Sequence, residues 1–181
     1  RYHQDKRRLG IGGLSVGEEV SRARAFAIAA HGDQKYGDQP YAIHLDAVAE
    51  LLAPFGELAQ VIGYLHDVVE DTAVPLDAVR QAFGDSVATC VALVTDEPGA
   101  NRRERKAKTN AKLSTVSDEG ALALVVKAAD RLANLRASAR GGADSKLDMY
   151  RREHPAFRAA AYRSELCEEL WREMDRILSG A

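Results

Sequence analysis

The residues best suited to chemistry are concentrated in one short run, LHDVVEDT, at positions 65–72. On a helix, His66 stands one turn before Glu70, and Asp67 one turn before Asp71. The run follows VIGYL (61–65), so an imidazole and several carboxylates enter at the edge of an apolar segment. Buried without partners, such groups are costly. A bound cation is one compensation, because it stabilises ionised carboxylates and a neutral imidazole together. An adjacent His–Asp pair converges on one ion only if the local backbone aims both side chains inward, and two ligands do not complete a site.

Two further residues supply the remainder. His44 follows the break at Pro40 and begins an apolar-striped segment. Asp130 lies within ALVVKAADRLANL (123–135), among otherwise buried positions. His44, His66, Asp67 and Asp130 together mix nitrogen and oxygen donors. That set suits Mn, Fe or Zn better than Ca and leaves coordination positions for water. Each residue also has a plainer reading. His66 can be a helix cap or a hydrogen-bonded core histidine, and His44 can be structural. Asp130 can pair with Lys127, Arg131 or Arg136. Glu70 and Asp71 can form an ordinary solvated helix end.

The elements that must position these residues read as helices. Ser15 and Glu18 have capping-box spacing, and Val20, Ala23, Ala27 and Ala30 share the face of a first helix. Glycines and a proline in GDQKYGDQP (32–40) end it. A second helix is expected over about 42–53, with Ile43, Ala47, Leu51 and Leu52 inward. A third covers about 57–70, with Leu58, Val61, Ile62, Leu65 and Val69 inward. Pro75 opens a fourth that stops at Gly84, and a fifth covers about 85–94. Pro98 and Gly99 form a turn before a basic segment, 102–108; residues 111–117 carry no clear pattern. Residues 119–138 read as a buried helix, and two more are expected over about 144–151 and 155–178, the last opened by Pro155. No segment alternates long enough to demand a sheet. The fold class is all-α, a compact multi-helix domain over 15–181, preceded by a flexible N-terminal arm (1–14) carrying Gly10, Gly12 and Gly13.

The bulk properties exclude several roles. A net charge of −2 and a pI near 6.2 argue against general nucleic-acid binding. No apolar run approaches the roughly 20 residues of a membrane span. The N-terminus has no apolar stretch of the secretory type, so a cytoplasmic location is expected. Cys90 and Cys167 read as buried free thiols, and GIGGLSVG is not a GxGxxG loop. Nothing in the pattern selects between a monomer and a homo-oligomer.

Four stretches carry a more specific signal: AHGDQKYGDQPYAIH (30–44), LHDVVEDT (65–72), FGDSVATCVALVTD (83–96) and VVKAADRLANLR (125–136). In this order they resemble the HD-domain (p)ppGpp hydrolases of the RelA/SpoT class, especially the small stand-alone Mesh1-like alarmone hydrolases. The likeness covers roughly residues 20–175. It implies an all-α HD-domain phosphohydrolase that uses Mn²⁺ to remove pyrophosphate from the 3′ position of guanosine 3′,5′-bis(diphosphate), leaving GDP, as in the stringent response. It places the metal ligands on His44, His66, Asp67 and Asp130, and the catalytic pair on Glu70 and Asp71. Asn134 and Lys35 fall near the nucleoside, and Tyr150 lines the pocket.

This chain departs from that pattern in places. Lys35 stands where an arginine is usual, losing the planar guanidinium. Ala133 replaces a frequent histidine, Ala137 a frequent threonine, and Asp96 a common lysine. The expected partner is a small phosphorylated purine nucleotide, with ppApp or NADPH as the alternative to ppGpp and non-catalytic nucleotide binding as a second alternative. The basic segment supplies Arg102, Arg105 and Lys106 as phosphate contacts, or else is a solvated face. Successive helical residues point in different directions, so not all of its cations reach one ligand.

Overall fold

The computed structural model describes residue 15 and residues 17–180. The arm expected over residues 1–14 lies outside the described residues. Among these, ten α-helices follow one another: α1 (Glu18–His31), α2 (Ala42–Leu52), α3 (Glu57–Leu65), α4 (Val68–Asp71), α5 (Leu76–Phe83), α6 (Asp85–Val94), α7 (Arg102–Ser114), α8 (Ala121–Arg140), α9 (Asp144–Ala161) and α10 (Glu168–Ser179). No helix there is long and apolar enough to cross a membrane. Cys90 and Cys167 are free and buried.

The core is organised by α8. Leu124, Val126, Ala128, Ala129, Leu132 and Leu135 are buried around its circumference, the pattern of a helix enclosed on all sides. Its alanines present little bulk, and α2, α3, α6, α9 and α10 all pack on it. The helix pair α2 and α3 is also close. A Cβ added at Gly63 would stand 2.5 Å from Leu52 Cδ1, so only glycine fits without moving that leucine. From α10, Trp171 and Met174 close the core.

Ile43 and Leu58, expected inward, are exposed instead, at 52% and 46%, and four other differences from the sequence expectation have identifiable causes. At the first helix, Glu18 accepts a hydrogen bond from the Ser15 N–H at 2.8 Å, but the Ser15 hydroxyl caps nothing. Only half of the capping box forms. The helix expected over 57–70 is broken: α3 ends at Leu65, and His66 and Asp67 form a turn before α4. The His66 ring takes up the Gly63 carbonyl (Nδ1 to O, 2.6 Å), a local bond of the kind that competes with helix continuation. Third, the basic segment is a full helix. Asn101 caps α7 by accepting from the Glu104 N–H at 2.9 Å, while Glu104 accepts from the Ala100 N–H.

Fourth, Pro155 lies inside α9 and does not open the last helix. It faces solvent, as does Arg151, whose carbonyl a residue-155 N–H would have served. The break falls later, around Glu165, which has φ of 65°. Pro155→Ala restores a backbone donor and removes the ring. It is expected to stabilise the protein by about 1–2 kcal/mol, less than the roughly 3 kcal/mol interior proline penalty because the unfolded chain gains freedom. A thermal melt checks this; an unchanged or lower Tm contradicts it.

A two-residue hairpin was not expected. Its strands are β1 (Lys35–Tyr36) and β2 (Gln39–Pro40), paired antiparallel with Lys35 opposite Pro40. Gly37, at φ 63°, provides the turn. Two-residue strands are too short for alternation to show in a sequence.

Candidate active site

The turn between α3 and α4 brings His66 and Asp67 to face His44, from the first turn of α2, and Asp130, from the middle of α8. One ligand-type atom from each of the four lies within 4.8 Å of the others. His44 Nε2 is 3.1 Å from Asp130 Oδ1 and 3.8 Å from Asp67 Oδ2. His66 Nε2 is 3.0 Å from Asp67 Oδ2 and 3.4 Å from Asp130 Oδ1. Because a carbonyl oxygen only accepts, His66 Nδ1 must donate to Gly63 O. In the neutral ring that leaves Nε2 as a lone pair aimed at two carboxylates. Nε2 is buried and has no hydrogen-bond partner.

Two imidazoles and two carboxylates at this spacing require positive charge among them. Without a metal, a proton supplies it within the cluster, with the Lys127 ammonium 4.0 Å from Asp130 at its edge. Burial pushes the His66 imidazole down, but Asp67 and Asp130 outweigh it and hold it well above its usual range. Burial likewise opposes ionisation of both aspartates, yet the facing histidines hold Asp67 and Asp130 below the ordinary carboxylate range. A divalent cation satisfies the same requirement with both rings neutral, and the donor set fits one.

The surrounding residues fix this geometry. Tyr41 donates its hydroxyl to Asp67 Oδ2 at 2.5 Å. Asn134, one turn after Asp130 on α8, donates from Nδ2 to Asp130 Oδ1 at 2.9 Å and accepts from the Tyr36 hydroxyl at 2.7 Å. The Tyr36 ring stacks on His44, with centroids 4.8 Å apart. Such outer contacts orient ligands and set their basicity.

Glu70 and Asp71 line the same cleft. Glu70 Oε1 accepts from the Asp96 N–H at 2.6 Å. Asp71 Oδ2 accepts from Gln34 at 3.3 Å and lies 3.4 Å from the Tyr41 hydroxyl, whose one proton is directed to Asp67. Burial raises both carboxyls above their ordinary range; nearby Asp67 adds to the effect. Groups so raised are suited to taking up a proton.

Arg102, Lys106, Arg131 and Tyr150 also line the cleft. Arg102 and Lys106 are four residues apart and share one face of α7. Arg105 does not line the cleft and packs over the Gly99 turn. Lys35 is exposed and also stays outside. Strand neighbours point to opposite sides, so the residue that enters from β1 is Tyr36.

Several residues that shape the site carried no sequence signal strong enough to single them out. Tyr41 stands one helical turn before His44, which is the spacing that could have found it. Lys127 stands 4.0 Å from Asp130, whereas Arg136 is committed to Glu173. Arg131 turns away from Asp130. Its guanidinium lies over the Tyr150 and Phe157 rings and 3.4 Å from Glu153. A partner thirty residues away in sequence, such as Asp96 for Lys127, is invisible to local spacing.

The helical frame and the histidine–aspartate cluster define a class. The HD domain matches residues 23–157, and the chain belongs to the HD-domain family. Among similar proteins, human guanosine-3′,5′-bis(diphosphate) 3′-pyrophosphohydrolase MESH1 is 34% identical over 129 residues, covering 67% of this chain and 70% of that protein. An Aquifex aeolicus protein named guanosine-3′,5′-bis(diphosphate) 3′-pyrophosphohydrolase is 34% identical over 122 residues, and there the chain spans only 18% of the relative's length. The solved structure of a metazoan ortholog of SpoT, described as hydrolyzing ppGpp and playing a role in starvation responses, superposes with a TM-score of 0.72 at 23% identity. That match covers 93% of this chain and 98% of the other, and it shows the fold.

Proposed function

We propose that this chain is a Mn²⁺-dependent 3′-pyrophosphohydrolase of guanosine 3′,5′-bis(diphosphate), acting in the cytoplasm. The observation that carries this reading is one cleft holding the His44–His66–Asp67–Asp130 cluster, the Glu70–Asp71 pair and a cationic wall. Identity to proteins named for that reaction, human MESH1 among them, supports the substrate.

A divalent cation on the four ligands would lower the pKa of water and offset charge on the phosphoryl oxygens. The chain's own residues then have distinct tasks. Glu70, with Oε1 held by the Asp96 N–H, presents its other oxygen as proton acceptor. As water attacks the phosphorus attached to the ribose 3′ oxygen, Glu70 takes its proton and the bond from that phosphorus to the 3′ oxygen breaks. The 3′ oxygen leaves with the proton that Glu70 gives up, which restores the carboxylate and yields GDP and pyrophosphate. Asp71, steadied by Gln34, orients the water. Asn134 and Tyr150 flank the nucleoside, and Arg102 and Lys106 hold phosphate charge.

Arg102→Ala and Lys106→Ala are each expected to raise KM by about 10-fold, with kcat within about 3-fold. The effect should shrink as salt rises, because these side chains are partly solvated. Steady-state kinetics at two ionic strengths checks this; an unchanged KM removes the two residues from the substrate site.

Lys35 is exposed outside the cleft, and Ala133, buried in the α8 packing, offers no polar group where a histidine is frequent. That favours a second reading, hydrolysis of another phosphorylated purine nucleotide: ppApp, with loss of pyrophosphate, or NADPH, whose 2′-phosphate would leave as orthophosphate. A panel of ppGpp, ppApp and NADPH with the products identified decides between them. The larger kcat/KM for ppGpp supports the first reading, and a larger value for either other nucleotide supports the second.

A further inference from the structure

Lys127 is a buried ammonium one turn before Asp130 on α8. Its Nζ donates to the Val94 carbonyl at 3.0 Å. It stands between two carboxylates, 3.5 Å from Asp96 Oδ1 and 4.0 Å from Asp130 Oδ2. Asp96 follows α6 by two residues and sits behind the cleft wall, with 7% of its side chain exposed. Its other oxygen holds Lys106 Nζ at 2.5 Å. Its backbone N–H is the donor that fixes Glu70 Oε1, and the Glu70 carboxylate is a further, weaker charge acting on Lys127.

A buried ammonium must keep a counter-charge, because charge interactions strengthen as water is excluded. Here the two carboxylates compete for it. A change of a few tenths of an ångström in either distance would reverse which is nearer. With Asp96 ionised, Lys127 is shared and stays back. With residue 96 neutral, Asp130 becomes the better partner, and the ammonium would occupy the carboxylate that faces His44 and His66. We propose that Asp96 is a positioning residue of the metal centre: it holds Lys127 away from Asp130 and so keeps that carboxylate free to ligate. This rests on the reading of His44, His66, Asp67 and Asp130 as the metal ligands. The direct electrostatic effect has the same sign, since removing a nearby negative charge also disfavours a cation.

The test is titration of Mn²⁺ into the metal-stripped full chain by calorimetry, without substrate. Asp96→Asn keeps the backbone donor to Glu70 and the side-chain size. It is expected to weaken Mn²⁺ binding about 10-fold or more, the range for loss of a group supporting a metal ligand. Adding Lys127→Met to Asp96→Asn removes the intruding ammonium and should restore affinity to within about 3-fold of wild type, which a general structural defect would not do. Lys127→Met alone provides an independent check if Asp96→Asn fails to fold, and should bind Mn²⁺ at least as tightly as wild type. Wild-type affinity in Asp96→Asn, no recovery in the double variant, or weakened binding in Lys127→Met each overturns the inference. A wild-type chain that binds no Mn²⁺ overturns the ligand assignment beneath it, which is a distinguishable result.

Discussion

Asp67→Ala and His66→Ala are expected to lower turnover of ppGpp by about 1000-fold or more, about 4 kcal/mol of lost transition-state stabilisation, and to abolish tight Mn²⁺ binding. Each removes one corner of a cluster whose ligand-type atoms lie within 4.8 Å of one another. The remaining three cannot close the same set of donors. The fold should survive. Removing the His66 ring leaves the Gly63 carbonyl without its 2.6 Å donor, a loss of about 1–3 kcal/mol. Removing Asp67 frees the Tyr41 hydroxyl but also relieves repulsion with Asp130, which opposes the ionisation of Asp67. Far-UV circular dichroism should therefore match the wild type while calorimetry shows no high-affinity Mn²⁺ site. Substantial turnover by metal-stripped Asp67→Ala protein would sink the assignment.

Glu70→Gln separates proton handling from metal holding. The amide oxygen of glutamine can still accept from the Asp96 N–H, so the side chain keeps its anchor. What it loses is the ability to take a proton. With Glu70 as the general base, kcat falls by about 100- to 10,000-fold, while Mn²⁺ affinity stays within about 3-fold and KM changes little. Loss of Mn²⁺ binding instead would place Glu70 among the ligands. An unchanged kcat would transfer the proton-accepting task to Asp71.

The outlines of both fold and site could be read from the residues, and the limits of that reading are physical. Helices with a clear apolar stripe and a glycine or proline boundary, such as α5 and α6, were legible within a residue or so. The break between α3 and α4 was not, because apolar spacing runs through it. The backbone turns there to satisfy a side chain, His66 on the Gly63 carbonyl. The course of α9 through Pro155 was hidden for a related reason: a proline on a solvated face costs less order than the rule assumes. At the site, the four clustered residues stood out because each interrupts an apolar surface. Their supports did not stand out. Tyr36 looks like an ordinary surface-type residue in sequence, and Lys127 is one of three basic residues open to Asp130; only the packing of β1 and α6 against α2 and α8 gives the two their partners. The contrast between Lys35 and Tyr36 shows how fine the distinction is. One step along a two-residue strand decides which side chain reaches the histidine and which reaches solvent.

The most direct test is product analysis of purified, metal-stripped protein incubated with ppGpp, with and without added Mn²⁺. Phosphorus NMR and anion-exchange chromatography identify what is released. The expected result is stoichiometric pyrophosphate and GDP only when Mn²⁺ is present, with no orthophosphate formed first. Absence of turnover in protein shown to bind Mn²⁺, or equal turnover without any metal, would contradict it.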